Sequence, residues 1–514
     1  MHEENPSSDP LLSNYGNSKL EESSKSNELS IDNDCDDSRS SLVLEVMEEI
    51  KDLYTIAFPT IITSLLLYGK SAISMHFLGK LGKEALAGGC LAIGMANITG
   101  YSIISGLAAG MEGISSQACG AQQWVLISET LQCTIMLLIL TCIPISILWL
   151  NFEPILLLCG QDPTISSVAT TYLAFTLPDL ILQSFINPLK IYLRAQSLTL
   201  PLMFSAALAL VLHALINYVI VHTFSLGIQG VALASAFTDL NLLIIILLYL
   251  WFSGACSKSW HGWSHQCFNR WKPILHQAIP SCVSICLEWW WYELLILLSG
   301  LLTNAADTVA TTGIIIQATA LTYNFPFALS LAVSTRVGNE LGANKPNKAK
   351  TSSFTALLCA FFTGIISMTF MVTTSNIWGR MFTDDEAILS LLAKTLPIVG
   401  LCEVGNCPQT TICGMLRGSA RPTLGANINL VSFYIVGLPV ALLMGFVFDL
   451  GLLGLLLGLL AAQIVCAIVM VVVLARTDWT EQANRARELV GEINEDNGEN
   501  NEGIEESVSI VSLN

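Results

Sequence analysis

The chain has 514 residues, of which 53% are hydrophobic and 12% charged, and its net charge is −17. Soluble domains carry roughly a quarter of their residues charged, so a soluble fold of this length is excluded. Residues 1–45 contribute −8 and residues 476–514 contribute −7, leaving the middle nearly neutral. The acidity therefore describes the two ends and says nothing about a substrate.

The first 45 residues are rich in Ser, Asn, Asp and Glu and predict a disordered acidic tail. They hold no basic stretch followed by an apolar run, so no cleavable signal peptide is expected, and the first apolar segment serves for insertion. Apolar stretches long enough for a hydrocarbon core of ~30 Å then follow at 53–78, 84–110, 126–149, 164–189, 201–223 and 228–252. After a loop at 253–272 they resume at 274–302, 306–333, 352–374, 387–413, 424–447 and 450–475. Residues 476–514 predict a second acidic tail. The expected fold is an all-α membrane protein of twelve transmembrane helices.

An even number of spans puts both tails on one side. Lys51, Lys190, Arg194, Lys258, Arg270, Lys272, Arg336, Lys345, Lys348, Lys350, Arg417, Arg421 and Arg476 lie on the tail side, against Lys80, Lys83 and Arg380 on the other. Cytoplasmic loops collect Lys and Arg, so both termini are expected in the cytoplasm and 253–272 is expected to be a cytoplasmic loop.

The two halves repeat at a nearly fixed offset. Gly120-Ala121-Gln122 matches Gly342-Ala343-Asn344 at 222 residues, Leu193-Arg194-Ala195 matches Leu416-Arg417-Gly418 at 223, and Gly227-Ile228-Gln229-Gly230 matches Gly451-Leu452-Leu453-Gly454 at 224. Each match follows or opens an equivalent span. Residues 46–252 and 273–475 are thus predicted as two six-helix lobes related by an axis along the membrane normal. Transporters built from such repeats hold substrate between them near mid-bilayer.

Ala332-Val333-Ser334-Thr335-Arg336-Val337-Gly338-Asn339-Glu340-Leu341-Gly342-Ala343 resembles the "STRVSNELGA" signature of plant multidrug and toxic compound extrusion (MATE) proteins, the DETOXIFICATION branch. Glu112, Gln117, Gly120 and Ala121 fit the matching N-lobe pattern, with Ser115-Ser116 replacing its Cys-Gly. Cys286-Leu287-Glu288-Trp289-Trp290-Trp291-Tyr292-Glu293 resembles that branch's "CLEWWxxE". Leu416-Arg417-Gly418-Ser419-Ala420-Arg421-Pro422 fits its loop between spans 10 and 11. The resemblance covers residues 46–475. It implies a proton- or sodium-coupled antiporter that exports small organic metabolites or xenobiotics by alternating access. A proton is expected over sodium, with no other cofactor.

Carboxylates in membrane helices are costly and face a cavity or a partner; here they include Glu112, Asp179, Asp239, Glu288, Glu293 and Glu403. The resemblance implies coupling roles for Glu288 and Glu403. Glu293 is a further proton-coupling candidate; it sits about 140° around the helix from Glu288, so lining the cavity edge and pairing structurally both stand open. Glu112 is assigned to packing or gating with Gln117 and Arg336, and Asp179 and Asp239 to interhelical pairing. Trp289 and Tyr292 are candidates for the substrate cleft, since planar rings can stack on a solute or hold a cation. Prokaryotic relatives place an Asp where this chain has Ser74, which removes an N-lobe ion site of that kind and leaves Ser74 and Lys70 as further candidates for the substrate cleft. Lys70, one turn earlier on the same face, either snorkels to the interface or faces the cleft and favours anionic substrates.

Other motifs carry nothing. Gly69-Lys70-Ser71 lacks the first glycine of a P-loop, and no GxSxG elbow is present. His261, His265 and Cys267 lie in a Trp-rich loop and are not read as a metal site. No enzyme activity, metal or nucleic-acid partner is expected. The expected partners are a small organic solute and membrane lipid, for a monomer in the plasma membrane rather than the vacuolar or another endomembrane. The alternative is a transporter-like regulator that acts through a protein bound to its tails.

Overall fold

The computed structural model describes residues 11–260, 262–264 and 271–491, with side chains from residue 43 onward. Met1–Asp52 and Leu53–Asn514 form separate units. In the first, residues 11–52 are helical, including much of the stretch whose composition predicts disorder. A helix satisfies its backbone locally, so it can form where no core can. Residues 1–10 and 492–514 of the tails, and the set His261, His265 and Cys267, lie outside the described residues.

Among the described residues, twelve helices are long and apolar enough to cross a membrane. They are numbered α1 (Leu11–Lys80, apolar from Val43), α2 (Lys83–Gly120), α3 (Trp124–Leu150), α4 (Pro163–Ala195), α5 (Leu200–Thr223) and α6 (Gly227–Ser253). The second set is α7 (Trp271–Ser299), α8 (Ala305–Gly342), α9 (Pro346–Met381), α10 (Glu386–Gly418), α11 (Pro422–Val447) and α12 (Leu452–Ala475). Several outrun the apolar stretches at their tail-side ends, because turns such as Ser334–Gly342 pack on the other lobe rather than on lipid.

The duplication is written into the backbone. Six non-glycine residues adopt positive φ among those described, and they pair as Gln122 with Asn344, Ser197 with Ala420, and Ser225 with Asp449. The pairs are separated by the offsets 222, 223 and 224 found in the sequence. Left-handed backbone is costly for such residues, so each pair marks a turn both repeats must make alike.

Where the repeats meet, their contacts exchange roles. Gln117 Nε2 donates to Gly418 O at 3.0 Å, and Asn339 Nδ2, its repeat equivalent, donates to Ala195 O at 3.3 Å. A methyl group on Gly120 would lie 2.0 Å from Asn339 O, and one on Gly342 would lie 2.0 Å from Gln117 O. Only glycine lets backbones approach this closely.

Residues 479–491, expected as tail, are helical instead. Trp479, Ala483 and Ala486 are buried in the C-lobe core and Val490 in the N-lobe core. This helix recurs at spacings of 4, 3 and 4, which gives it one apolar stripe despite its acidic surroundings. Beside it, Arg421 donates to Thr477 Oγ1 at 3.3 Å. Burial, with Arg485 close by, lowers the Arg421 guanidinium to about 10, still charged at neutral pH.

Candidate functional site

A charged lock joins the lobes on the tail side. Glu112 of α2 is buried; its Oε1 accepts from Arg194 Nη2 of α4 at 2.7 Å. Its Oε2 accepts from Arg417 Nε of α10 at 2.9 Å and from Ser334 Oγ of α8 at 3.0 Å. Arg417 also donates to Ser330 Oγ at 3.0 Å. Arg194 and Arg417 are repeat equivalents, as are Glu112 and Ser334. A strict duplication would put two acids or two serines here; the exchange of one acid for serine leaves a single carboxylate to bridge two guanidiniums. One anion between two cations, accepting three hydrogen bonds, is the arrangement in which a buried ion pair can offset its desolvation.

Above this lock lies a cavity of about 290 Å³. Glu112, Arg194 and Arg417 form part of its wall, with Asn187 and Lys190 from α4, Glu288 and Trp289 from α7, and Tyr323 and Phe327 from α8. Glu288 is 7% exposed, with Tyr323 and Gln409 as polar neighbours. Deeper in the C-lobe, Glu403 accepts from Asn406 Nδ2 at 3.0 Å. Tyr292 lies near both carboxylates. Two ionisable acids thus share one lobe, one opening on the cavity and one behind it.

A second cavity, of about 360 Å³, lies in the N-lobe and shares Leu67, Ser105, Lys190 and Trp289 with the first. A π-helical turn at Asn97–Tyr101 re-aims α2 so that Asn97 and Tyr101 line it; such turns recur at functional sites. Lys70 Nζ lies 2.7 Å from Asp239 Oδ1 and 3.8 Å from Asp179 Oδ1. Gln183 donates to Asp239 and Tyr101 to Asp179. Ser74 is buried, its Oγ 3.0 Å from His213 Nε2.

Lys70 therefore faces inward and does not snorkel, yet two carboxylates hold it, so its cluster is not electropositive. Lys70→Gln is expected to destabilise the fold rather than change charge selectivity, because it strands two buried acids. Thermal unfolding in detergent checks this: the melting midpoint should fall, and Lys70→Gln with Asp239→Asn should recover part of the loss.

A family model, MatE, matches residues 59–219 and 280–443. The chain belongs to the MATE family. It is similar to Protein DETOXIFICATION 49 of Arabidopsis thaliana, 55% identical over 445 residues, covering 86% of this chain and 89% of the relative. It is also similar to Protein DETOXIFICATION 48 of the same plant, 54% identical over 449 residues, covering 87% and 84%. Among solved structures, the eukaryotic MATE transporter AtDTX14 matches with a TM-score of 0.84 and 32% identity, over 87% of this chain and all of that one. As a MATE protein, the chain is a multi-pass membrane transporter of small organic solutes and not an enzyme.

The residues singled out by this family's motifs divide in space. Glu288 and Trp289 open on the cavity, whereas Trp290 is exposed and Trp291 is packed in the C-lobe core against Phe433 and Tyr434. Tyr292 stands back from both cavities, beside the carboxylates. Glu293 is half-buried and lines neither cavity. Glu112 and Gln117 join the lobes, while Arg336 pairs with Glu340 one turn along its own helix at 3.2 Å. The sequence does not mark Arg194 and Arg417 as lock residues, although they stand at the repeat offset of 223. Lys190, a tail-side charge by sequence, lines both cavities.

Proposed function

We propose that this MATE chain is a proton-coupled antiporter that exports small organic solutes by alternating access, working as a monomer in the plasma membrane. Glu288 and Glu403 take up and release the proton, and Trp289 contacts the solute; Tyr292 lies between the two acids. The observation that carries this reading is the buried carboxylate of Glu288 opening on the central cavity, in the lobe that also holds Glu403. An ionisable group so placed is costly unless it is used. A proton needs only a carboxylate with polar neighbours, which both acids have.

The excess of Lys and Arg on the tail side supports cytoplasmic termini. The Glu112 lock then closes the cytoplasmic side of the cavity, and this conformation is the one that faces outward. Glu112 and Gln117 would have to part for the inward-facing state to form.

Purified protein in vesicles tests the coupling ion. A panel of organic cations, anions and neutral solutes is offered with an imposed proton gradient or an imposed sodium gradient. Uphill movement with protons alone is expected; movement driven by sodium and indifferent to protons would overturn the reading.

A further inference from the structure

Lys190 stands apart from every other cation in the cavity region. Lys70 is held by Asp239 and Asp179, and Arg194 and Arg417 by Glu112. Lys190, half-buried on α4, makes no hydrogen bond or ion pair among the described residues, yet it lines both cavities. Its ammonium feels Asp239 and Asp179, and the like charges of Lys70 and Arg194, at longer range, but Asp239 already accepts from Lys70 and Gln183 and Asp179 from Tyr101. Three N–H donors are thus left facing the cavity.

Asn187, one turn earlier on the same face of α4, also lines the cavity without a hydrogen-bond partner among the described residues. An ammonium and an amide at i and i+3 make a two-point donor set suited to a carboxylate. The C-lobe wall opposite supplies the rings of Trp289, Tyr323 and Phe327, the last two stacked at 5.6 Å.

We infer that the cavity takes a small aromatic monocarboxylate, its carboxylate on Lys190 and Asn187 and its ring against Trp289, Tyr323 and Phe327. This rests on the reading that the cavity is the transport site. Nothing in it depends on which ion drives transport.

The test uses three solutes of one shape: benzoate, neutral benzamide and cationic benzylammonium. Binding is read by quenching of tryptophan fluorescence, and exchange by counterflow in vesicles without any ion gradient. Wild type is expected to bind and exchange benzoate in preference to the other two. Lys190→Gln should weaken benzoate binding at least about tenfold, the loss of one charge-assisted hydrogen bond, while benzamide is unchanged. Lys190→Arg should keep most benzoate binding. Asn187→Ala should lose benzoate binding by a few-fold, and it serves if Lys190→Gln does not fold. The inference is overturned if wild type ignores benzoate or prefers benzylammonium. It is equally overturned if Lys190→Gln leaves benzoate unaffected or weakens all three solutes alike. Because counterflow needs no gradient, a failure of proton coupling leaves these outcomes untouched, and the reverse holds as well.

Discussion

Glu112→Ala is expected to lower the melting midpoint by several degrees and to unlock the tail side of the cavity. The substitution strands Arg194 and Arg417 as two buried like charges with no anion between them. Removing one partner of a buried, hydrogen-bonded ion pair costs about 3–5 kcal/mol, a large part of the stability of a typical domain. The loss also falls on one conformation, since Arg194 belongs to one lobe and Arg417 to the other. The closed tail side should weaken relative to its open counterpart. Differential scanning fluorimetry in detergent reads the first effect. Labelling of a cysteine introduced at Ser116, which packs against Gly338 of the other lobe, reads the second, with faster labelling expected. An unchanged midpoint together with unchanged labelling would show that the three charges are not a lock.

Glu288→Gln is expected to abolish solute accumulation against a proton gradient, by more than about tenfold, while the protein reaches its membrane normally. The amide keeps the volume and polar neighbours of the acid but cannot carry a proton. Counterflow should persist, because exchange needs the cavity and not the gradient. Glu403→Gln should act in the same direction, whereas Glu293→Gln should leave transport near wild type, as Glu293 lines neither cavity. Gradient-driven accumulation that survives in Glu288→Gln would remove this carboxylate from the coupling step.

The spans were legible because each is a long apolar run, and the repeat was legible because three motifs keep nearly the same offset, 222 to 224 residues. The backbone carries that same register in its paired left-handed residues. The partners of Lys70 were not legible. They come from α4 and α6, and which carboxylate meets which cation depends on helix rotation, a property no local pattern encodes. The lock was half legible: Glu112 stood out as an acid in a membrane helix, and Arg194 and Arg417 stood at one repeat offset. Nothing short of the packed axis brings them together. The helix at 479–491 was hidden by composition, since the acidic average of the last forty residues masks the stripe of Trp479, Ala483, Ala486 and Val490. The π-helical turn at Asn97–Tyr101 had no sequence signal, as π and α turns use the same residues.

The central claim is that solute and proton exchange through the C-lobe carboxylates. Vesicles containing only this protein, loaded with a trapped pH dye and with solute and held at equal pH inside and out, test it most directly. As solute leaves down its own concentration gradient in wild type, the lumen should acidify, and the pH change should vanish in Glu288→Gln. Solute efflux from wild-type vesicles with no change in lumenal pH would contradict the account.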